Sequence, residues 1–371
     1  MIAWRSVQAV SAAVVLPTSL GLALPAFAPS ERGTAVGIWA AVGAIAAGGG
    51  PVLGGMLIQF SWRWIFLINV PIVLVAVAAG SVLLPRDTRG DAGARLDAVG
   101  LVLALGAMGL VCAALIEASV WPPILIWSML TVGASLAAVF ILHAHRQPQA
   151  VIPLRLFRTR RYRFSAFGLF AYYAGFSVNL LGITLLLTEH MHLSVLEAAL
   201  GMVPGAISAG IASPFSGRIG ARLGVGRTLL AGGALFALAA LWPLLLGRGE
   251  APGYAAGLLP SLVLWGVANA FIQPTLFNGA DAAPKADLGI AAAVLAASRQ
   301  LGSACGVAVL VAVTGATGIS TFNVAWAIVV VSAVLTGMAG LRAEASRIDV
   351  LPVSLRVFHR HAGKRDAGWS V

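Results

Sequence analysis

Charge is scarce in this sequence. Of 371 residues only 10% are charged, and acids are the rarer sign, with 13 Asp and Glu against 24 Lys and Arg and a formal net charge of +11. A soluble domain carries about 25% charged residues, so an ordinary water-soluble globule is excluded. Cysteine is nearly absent too. The two present, Cys112 and Cys305, fall inside apolar runs and read as small buried hydrophobes, with no disulfide or metal framework to build. Strand-like alternation is missing, which excludes a membrane barrel. No H-E-x-x-H, no G-x-S-x-G and no acid pair at one depth is found, so an enzyme is not expected. His143 and His145 form H-x-H without a third ligand nearby, so no metal is expected. Nucleic acid is not an expected partner either, because the basic residues sit in short loops rather than on a soluble face among aromatics.

What the chain has in abundance is apolar sequence. Hydrophobic residues make up 59% of it. Runs of roughly 20 apolar residues are long enough to cross a bilayer, and in lipid only helices or closed barrels satisfy their own backbone. Eleven spans are expected, at about 3–27, 35–58, 64–84, 97–117, 122–143, 163–188, 196–216, 228–247, 253–275, 290–315 and 322–341. The fold class is therefore an all-α polytopic membrane protein.

The first 33 residues pose a question of direction. One arginine, an apolar run and Ala26-Phe27-Ala28 have the layout of a secretory signal peptide. Loop charges answer it. When loops are assigned to alternate sides, one side holds Arg32, Arg86 to Arg95, Arg146 to Arg163, Arg218 to Arg227, Lys285 and the tail from Arg342. That side has 20 of the 24 positive residues and the other has two, Arg63 and Arg248. Positive loops stay cytoplasmic, so the first span descends toward the cytoplasm and is not a signal peptide. The simplest account is an odd number of helices upstream of it. The expected location is the plasma (inner) membrane, with the C-terminus cytoplasmic.

Several stretches then resemble one family. Gly50-Pro51-Val52-Leu53-Gly54-Gly55 is similar to the fifth-helix antiporter motif of the fourteen-helix drug:proton antiporters, the EmrB/QacA type, within the major facilitator superfamily. Trp62-Arg63-Trp64-Ile65-Phe66 with Asn69 and Pro71 is similar to that family's next helix entry. Arg5 and Gln8 resemble the fourth-helix motif, and SRQLGSACGVAVL with Arg299 and Gln300 also looks family-typical. The resemblance implies a major facilitator fold with 11 transmembrane helices of an expected 14, the first three being absent. Residues 1–84 would be the remnant of the N-terminal six-helix half (helices 4–6). Residues 85–145 would be a cytoplasmic loop and a two-helix insert (helices 7–8), 146–341 the C-terminal half with its preceding basic loop, and 342–371 a basic cytoplasmic tail. Because the halves repeat one another, Gly217, Arg218, Arg222, Gly224 and Arg227 would form a degenerate copy of the gating loop, with Ala221 in place of its acid.

The resemblance implies alternating access and export of hydrophobic or cationic small molecules, driven by a proton gradient with no cofactor. Gly50, Gly54 and Gly55 clear one helix stripe for close approach, and Pro51 bends it. Such a stripe packs helices anywhere; by resemblance it joins the outer ends of the two halves. Arg5 would take part in proton coupling, its alternative being a cation snorkelling from near a chain end. Arg299 is expected at cytoplasmic depth, paired with Asp281 or Asp287. Glu117, Glu189 and Glu197 lie near outer helix ends, with Glu117 the best candidate for a proton-binding acid. Tyr172, Tyr173, Phe176, Asn179, Trp265, Asn269 and Gln273 are the candidate cavity lining. The rival expectation is a truncated remnant that inserts and moves nothing, which predicts poor or absent transport by the polypeptide as it stands.

Overall fold

The computed structural model describes residues 31–83, 97–118, 120–147, 150–247, 253–284, 287–314 and 319–349, with Gln8, Ser11, Val15, Ser19, Leu22, Phe27 and Ala28 besides. The expected first span, Arg5 with it, and the tail beyond 349 thus lie almost wholly outside the described residues.

The described chain is helical, with ten long helices: α1 (Arg32–Phe60), α2 (Asn69–Leu83), α3 (Ala98–Ile116), α4 (Pro123–Arg146), α5 (Arg160–Leu185), α6 (Val195–Leu223), α7 (Val225–Gly247), α8 (Leu259–Phe277), α9 (Leu288–Thr314) and α10 (Ile319–Asp349). Among the described residues, nine stretches are long and apolar enough to cross a membrane, against eleven expected over the whole chain. The first expected span lies almost wholly outside the described residues, and within α1 the stretch Thr34–Gly43 is the apolar part.

The core sits in the second half of the chain. α5 packs against α9 and α10, α10 against α7, and α8 against α6 and α7; α1 joins this body along α6. α5 buries Tyr162, Leu169, Tyr172, Val178 and Ile183 completely. α9 approaches α5 closely because Gly302 and Gly306, four residues apart, present no side chain. A methyl group there would collide with the carbonyl oxygens of Phe170 and Ala174. This is the small-xxx-small solution to packing in lipid, where close van der Waals contact replaces hydrophobic drive. Ser177 and Ser303 hydrogen-bond across the same seam at 2.6 Å. Along α1, Gly37 faces the Ser213 carbonyl, Gly210 of α6 faces Ile45, and Gly55 faces Leu196. By contrast α2 is apolar on every side and exposed along nearly its whole length.

α3 and α4 pair with each other, and α3 leans on α9. Their shared end is tied by Asp97. It is the N-cap of α3, accepting from Gly100 N at 2.8 Å; it also bonds His143 Nε2 of α4 at 2.8 Å and accepts from Val151 N at 3.2 Å. The Gly100 bond first, then His143, holds this carboxyl below the ordinary aspartate range. Arg155 binds Asp287 at 2.9 Å at the arginine-rich end of the bundle, Arg32 lies 3.6 Å from Asp281, and Arg161 donates to the Asn278 carbonyl at 3.2 Å.

Three expectations are corrected. Residues 217–223 are not a loop: α6 continues through Gly217, Arg218 and Arg222 to Leu223, and Arg227 already belongs to α7. The reversal is Gly224 alone, at φ +84°, a conformation that essentially only glycine tolerates. A continuous helix wins because nothing from Arg218 to Leu223 breaks it. The turn does lack an acid of its own, yet Glu344 of α10 supplies one, with its carboxylate lying over Gly224 and Gly226 at the start of α7. Free N–H groups at a helix start favour such an anion. Second, Cys112 and Cys305 are free, half-buried and near neighbours across α3 and α9, rather than packing as unrelated hydrophobes. Third, Arg299 pairs with neither Asp281 nor Asp287, because Arg32 and Arg155 hold those acids.

Candidate functional site

Tyr172, Phe176 and Asn179 recur on α5 at the spacing of one helix face, with Tyr173 at its edge. Trp265, Asn269 and Gln273 do the same on α8. The two faces meet. Phe176 and Trp265 have ring centroids 5.0 Å apart, and the Tyr172 hydroxyl donates to Asn269 Oδ1 at 2.9 Å. Tyr173 lies 5.1 Å from Phe176 and 5.2 Å from Tyr172. Phe236 of α7 closes the cluster at 5.2 Å from Tyr172. Sequence alone does not single out Phe236, since one aromatic in an Ala- and Leu-rich run looks like core.

A cation completes the group. Arg299 lies near the middle of the span Leu288–Ala312, about 17 Å along α9 at ~1.5 Å per residue, and not at cytoplasmic depth. Its guanidinium carbon stands 4.8 Å from the Tyr173 ring centroid. Cation–π contact contributes about 0.5–2 kcal/mol, against roughly 2.5–3.5 kcal/mol for placing arginine at mid-span. The ring alone therefore does not offset the charge, and no carboxylate pairs with it among the described residues.

Unmade hydrogen bonds gather at these residues. Asn179 is 0% exposed, and neither its Nδ2 nor its Oδ1 has a partner among the described residues. Trp265 Nε1 and Arg299 Nε are likewise buried and unpartnered. An unpaired buried polar group costs about 1–3 kcal/mol, so four such atoms in one cluster mark a place built for something beyond stability. Two members remain half-buried at its edge, the Phe176 ring and Arg299.

The other expected residues stand apart from this cluster. Of the antiporter-motif glycines, only Gly55 meets another helix, at Leu196; Gly50 and Gly54 face no described atom within 4 Å. Pro51 lies inside the unbroken helix α1. Trp62, Arg63, Trp64 and Asn69 form the exposed reversal between α1 and α2, where Arg63 covers the Trp62 ring at 5.1 Å and Asn69 donates to the Ile65 carbonyl at 3.1 Å. Pro71 is exposed on α2, Gln300 is exposed beside Arg299, and Gln8 is exposed. Glu117 ends α3, Glu197 caps α6 through Ser194, and Glu189 is exposed. His143 serves Asp97 while His145 is exposed.

Comparison with known proteins decides the family. The Major Facilitator Superfamily model matches residues 1–96 and 165–354. This chain belongs to the Major Facilitator Superfamily. The internal stretch of this superfamily member left unmatched, 97–164, contains α3 and α4. Among curated relatives, the tetracenomycin C resistance and export protein of Streptomyces glaucescens is 28% identical over 98% of the chain and 68% of the relative. The puromycin resistance protein pur8 of Streptomyces alboniger is 33% identical over 84% of the chain and 63% of the relative. The methyl viologen resistance protein SmvA of Salmonella typhimurium is 31% identical over 83% and 63%. The chain thus spans about two thirds of the length of these relatives.

Proposed function

We propose that this chain works in drug export, moving hydrophobic small molecules out of the cell in exchange for protons, by alternating access of two helical bodies. The observation that carries the reading is the α5–α8 aromatic cluster with its unpartnered polar atoms, in a superfamily member whose relatives are named for resistance and export. Large ring faces supply contact area that tolerates different cargo shapes. This reading takes the chain as a fourteen-helix antiporter of the EmrB/QacA type, with α3 and α4 as the inserted pair. The glycine-lined seam of α1 on α6 would be where the halves meet. Loop charge supports a cytoplasmic position for the arginine-rich end and the C-terminus.

Proton coupling needs a titrating group. Glu117 is an exit-side candidate, and Arg5 would tune such a carboxylate by its charge. Sequence pattern leaves hydrophobic and cationic cargo both open.

The test is extrusion of a panel of fluorescent dyes from proteoliposomes carrying the full chain, with and without an imposed pH gradient. Gradient-dependent extrusion of at least one dye, abolished by a protonophore, is expected. The remnant reading predicts none, and a panel that never responds to the gradient refutes export.

A further inference from the structure

We infer that the α5–α8–α9 cluster binds planar aromatic anions, an aromatic ring resting on Phe176 and Trp265 and its acidic group on Arg299. This rests on the reading of the cluster as the cargo site, and it narrows the cargo by charge.

The first argument is electrostatic. Among the described residues no Asp or Glu lies in the interior of a membrane span; each is outside the spans or at their ends. Arg299 is the only charged side chain in the middle of a described span. A cationic guest at the cluster would meet a like charge in a low-dielectric surrounding, with no carboxylate at that depth among the described residues to offset it. An anionic guest supplies the counter-ion that Arg299 lacks among the described residues and accepts the charge-assisted hydrogen bonds that its guanidinium is shaped to donate.

The second argument is the hydrogen-bond inventory. The unpartnered atoms are Arg299 Nε and Trp265 Nε1, which only donate, and the Asn179 amide, with two donor hydrogens and one acceptor oxygen. Donors outnumber acceptors, so the complementary ligand is rich in acceptors, as carboxylates, phenolates and quinone carbonyls are. The third argument is position. Tyr173 touches both half-buried members, with Phe176 at 5.1 Å and Arg299 at 4.8 Å. A single flat molecule can therefore engage a ring and a cation at once.

Three probes sharing one ring system test this: anthraquinone carboxylate, its primary amide, and an anthraquinone bearing a trimethylammonium group. Each is titrated calorimetrically into the full chain in nanodiscs at neutral pH. The expected order places the carboxylate roughly tenfold or more tighter than the amide, the scale of a charge-assisted hydrogen bond, and the trimethylammonium probe weakest. Arg299→Gln should bring the carboxylate-to-amide ratio to about one, and Arg299→Lys should restore part of it. A general loss of folding lowers all affinities together and leaves that ratio uncollapsed, while the comparison on the unaltered chain needs no variant. Equal or tighter binding of the amide or the cation overturns the charge assignment and leaves the cargo site standing. Failure of all three probes to bind overturns both.

Discussion

The thiols of Cys112 on α3 and Cys305 on α9 lie close enough to perturb each other, which brings the chain's only two cysteines together across the interface between the α3–α4 pair and the rest of the bundle. Mild oxidation with copper phenanthroline, which takes up the two electrons, should therefore join them in an intramolecular disulfide. Mass spectrometry of the digested chain should find the Cys112–Cys305 crosslink, and Cys112→Ser should abolish it. Absence of the crosslink under conditions that oxidise an exposed thiol control would disprove this packing of α3 on α9.

The α9–α5 seam predicts a contrast between glycines of one type. Gly306→Ala places a methyl against the Ala174 carbonyl and should cost roughly 1–3 kcal/mol through overpacking. Gly109→Ala meets no described atom within 4 Å and should be neutral or stabilising by about 0.5–1 kcal/mol through helix propensity. Thermal unfolding of both variants in detergent measures the difference. Equal midpoints would mean that the close approach is not there.

Tyr172→Phe removes the hydroxyl that donates to Asn269 Oδ1 at 2.9 Å, in a place where Tyr172 is 0% exposed. The ring contacts survive, so the loss should be about 1–3 kcal/mol, the cost of leaving a buried acceptor unpaired. A second substitution, Asn269→Leu, should recover part of that loss by removing the orphaned group. Chemical denaturation of the single and double variants decides it.

Asp97 predicts a pH dependence with a definite sign. Its carboxyl titrates below the ordinary aspartate value in the folded chain, so folding favours the ionised form. That contribution is complete above the unfolded-state value and disappears as the pH falls through the folded one. Wild type should exceed Asp97→Asn in unfolding temperature at neutral pH, with the gap closing as the pH falls into the acid range. A gap of the same size at both ends would show that the carboxylate's charge contributes nothing.

Much of the fold was legible because it depends on composition. Apolar runs of crossing length appear in the structure as the long helices α3 to α10, since a chain in lipid has no alternative way to satisfy its backbone. The cluster residues on α5 and α8 were legible from helical spacing, as aromatics and amides repeated along one face. Other features depended on distance in space. The Asp97–His143 tie, the Glu344 carboxylate over Gly224 and the Cys112–Cys305 contact each join residues far apart in sequence. The gating-loop expectation failed for a local reason: the stretch 217–223 has no proline and its two glycines stay helical, and the break falls on Gly224.

Sequence by itself determined that this protein is a helical membrane chain and where its helices run, because burying backbone in hydrocarbon leaves one local solution that composition reveals. Only the tertiary structure decided what Arg299 faces. From sequence the nearby acids Asp281 and Asp287 look like its partners. Once folded, Arg32 and Arg155 hold those acids at the bundle's end, and Arg299 is left at mid-depth over Tyr173. Ion pairing is settled by which charges reach one another in three dimensions, and Arg299, left without either of those acids, gives the cluster its charge.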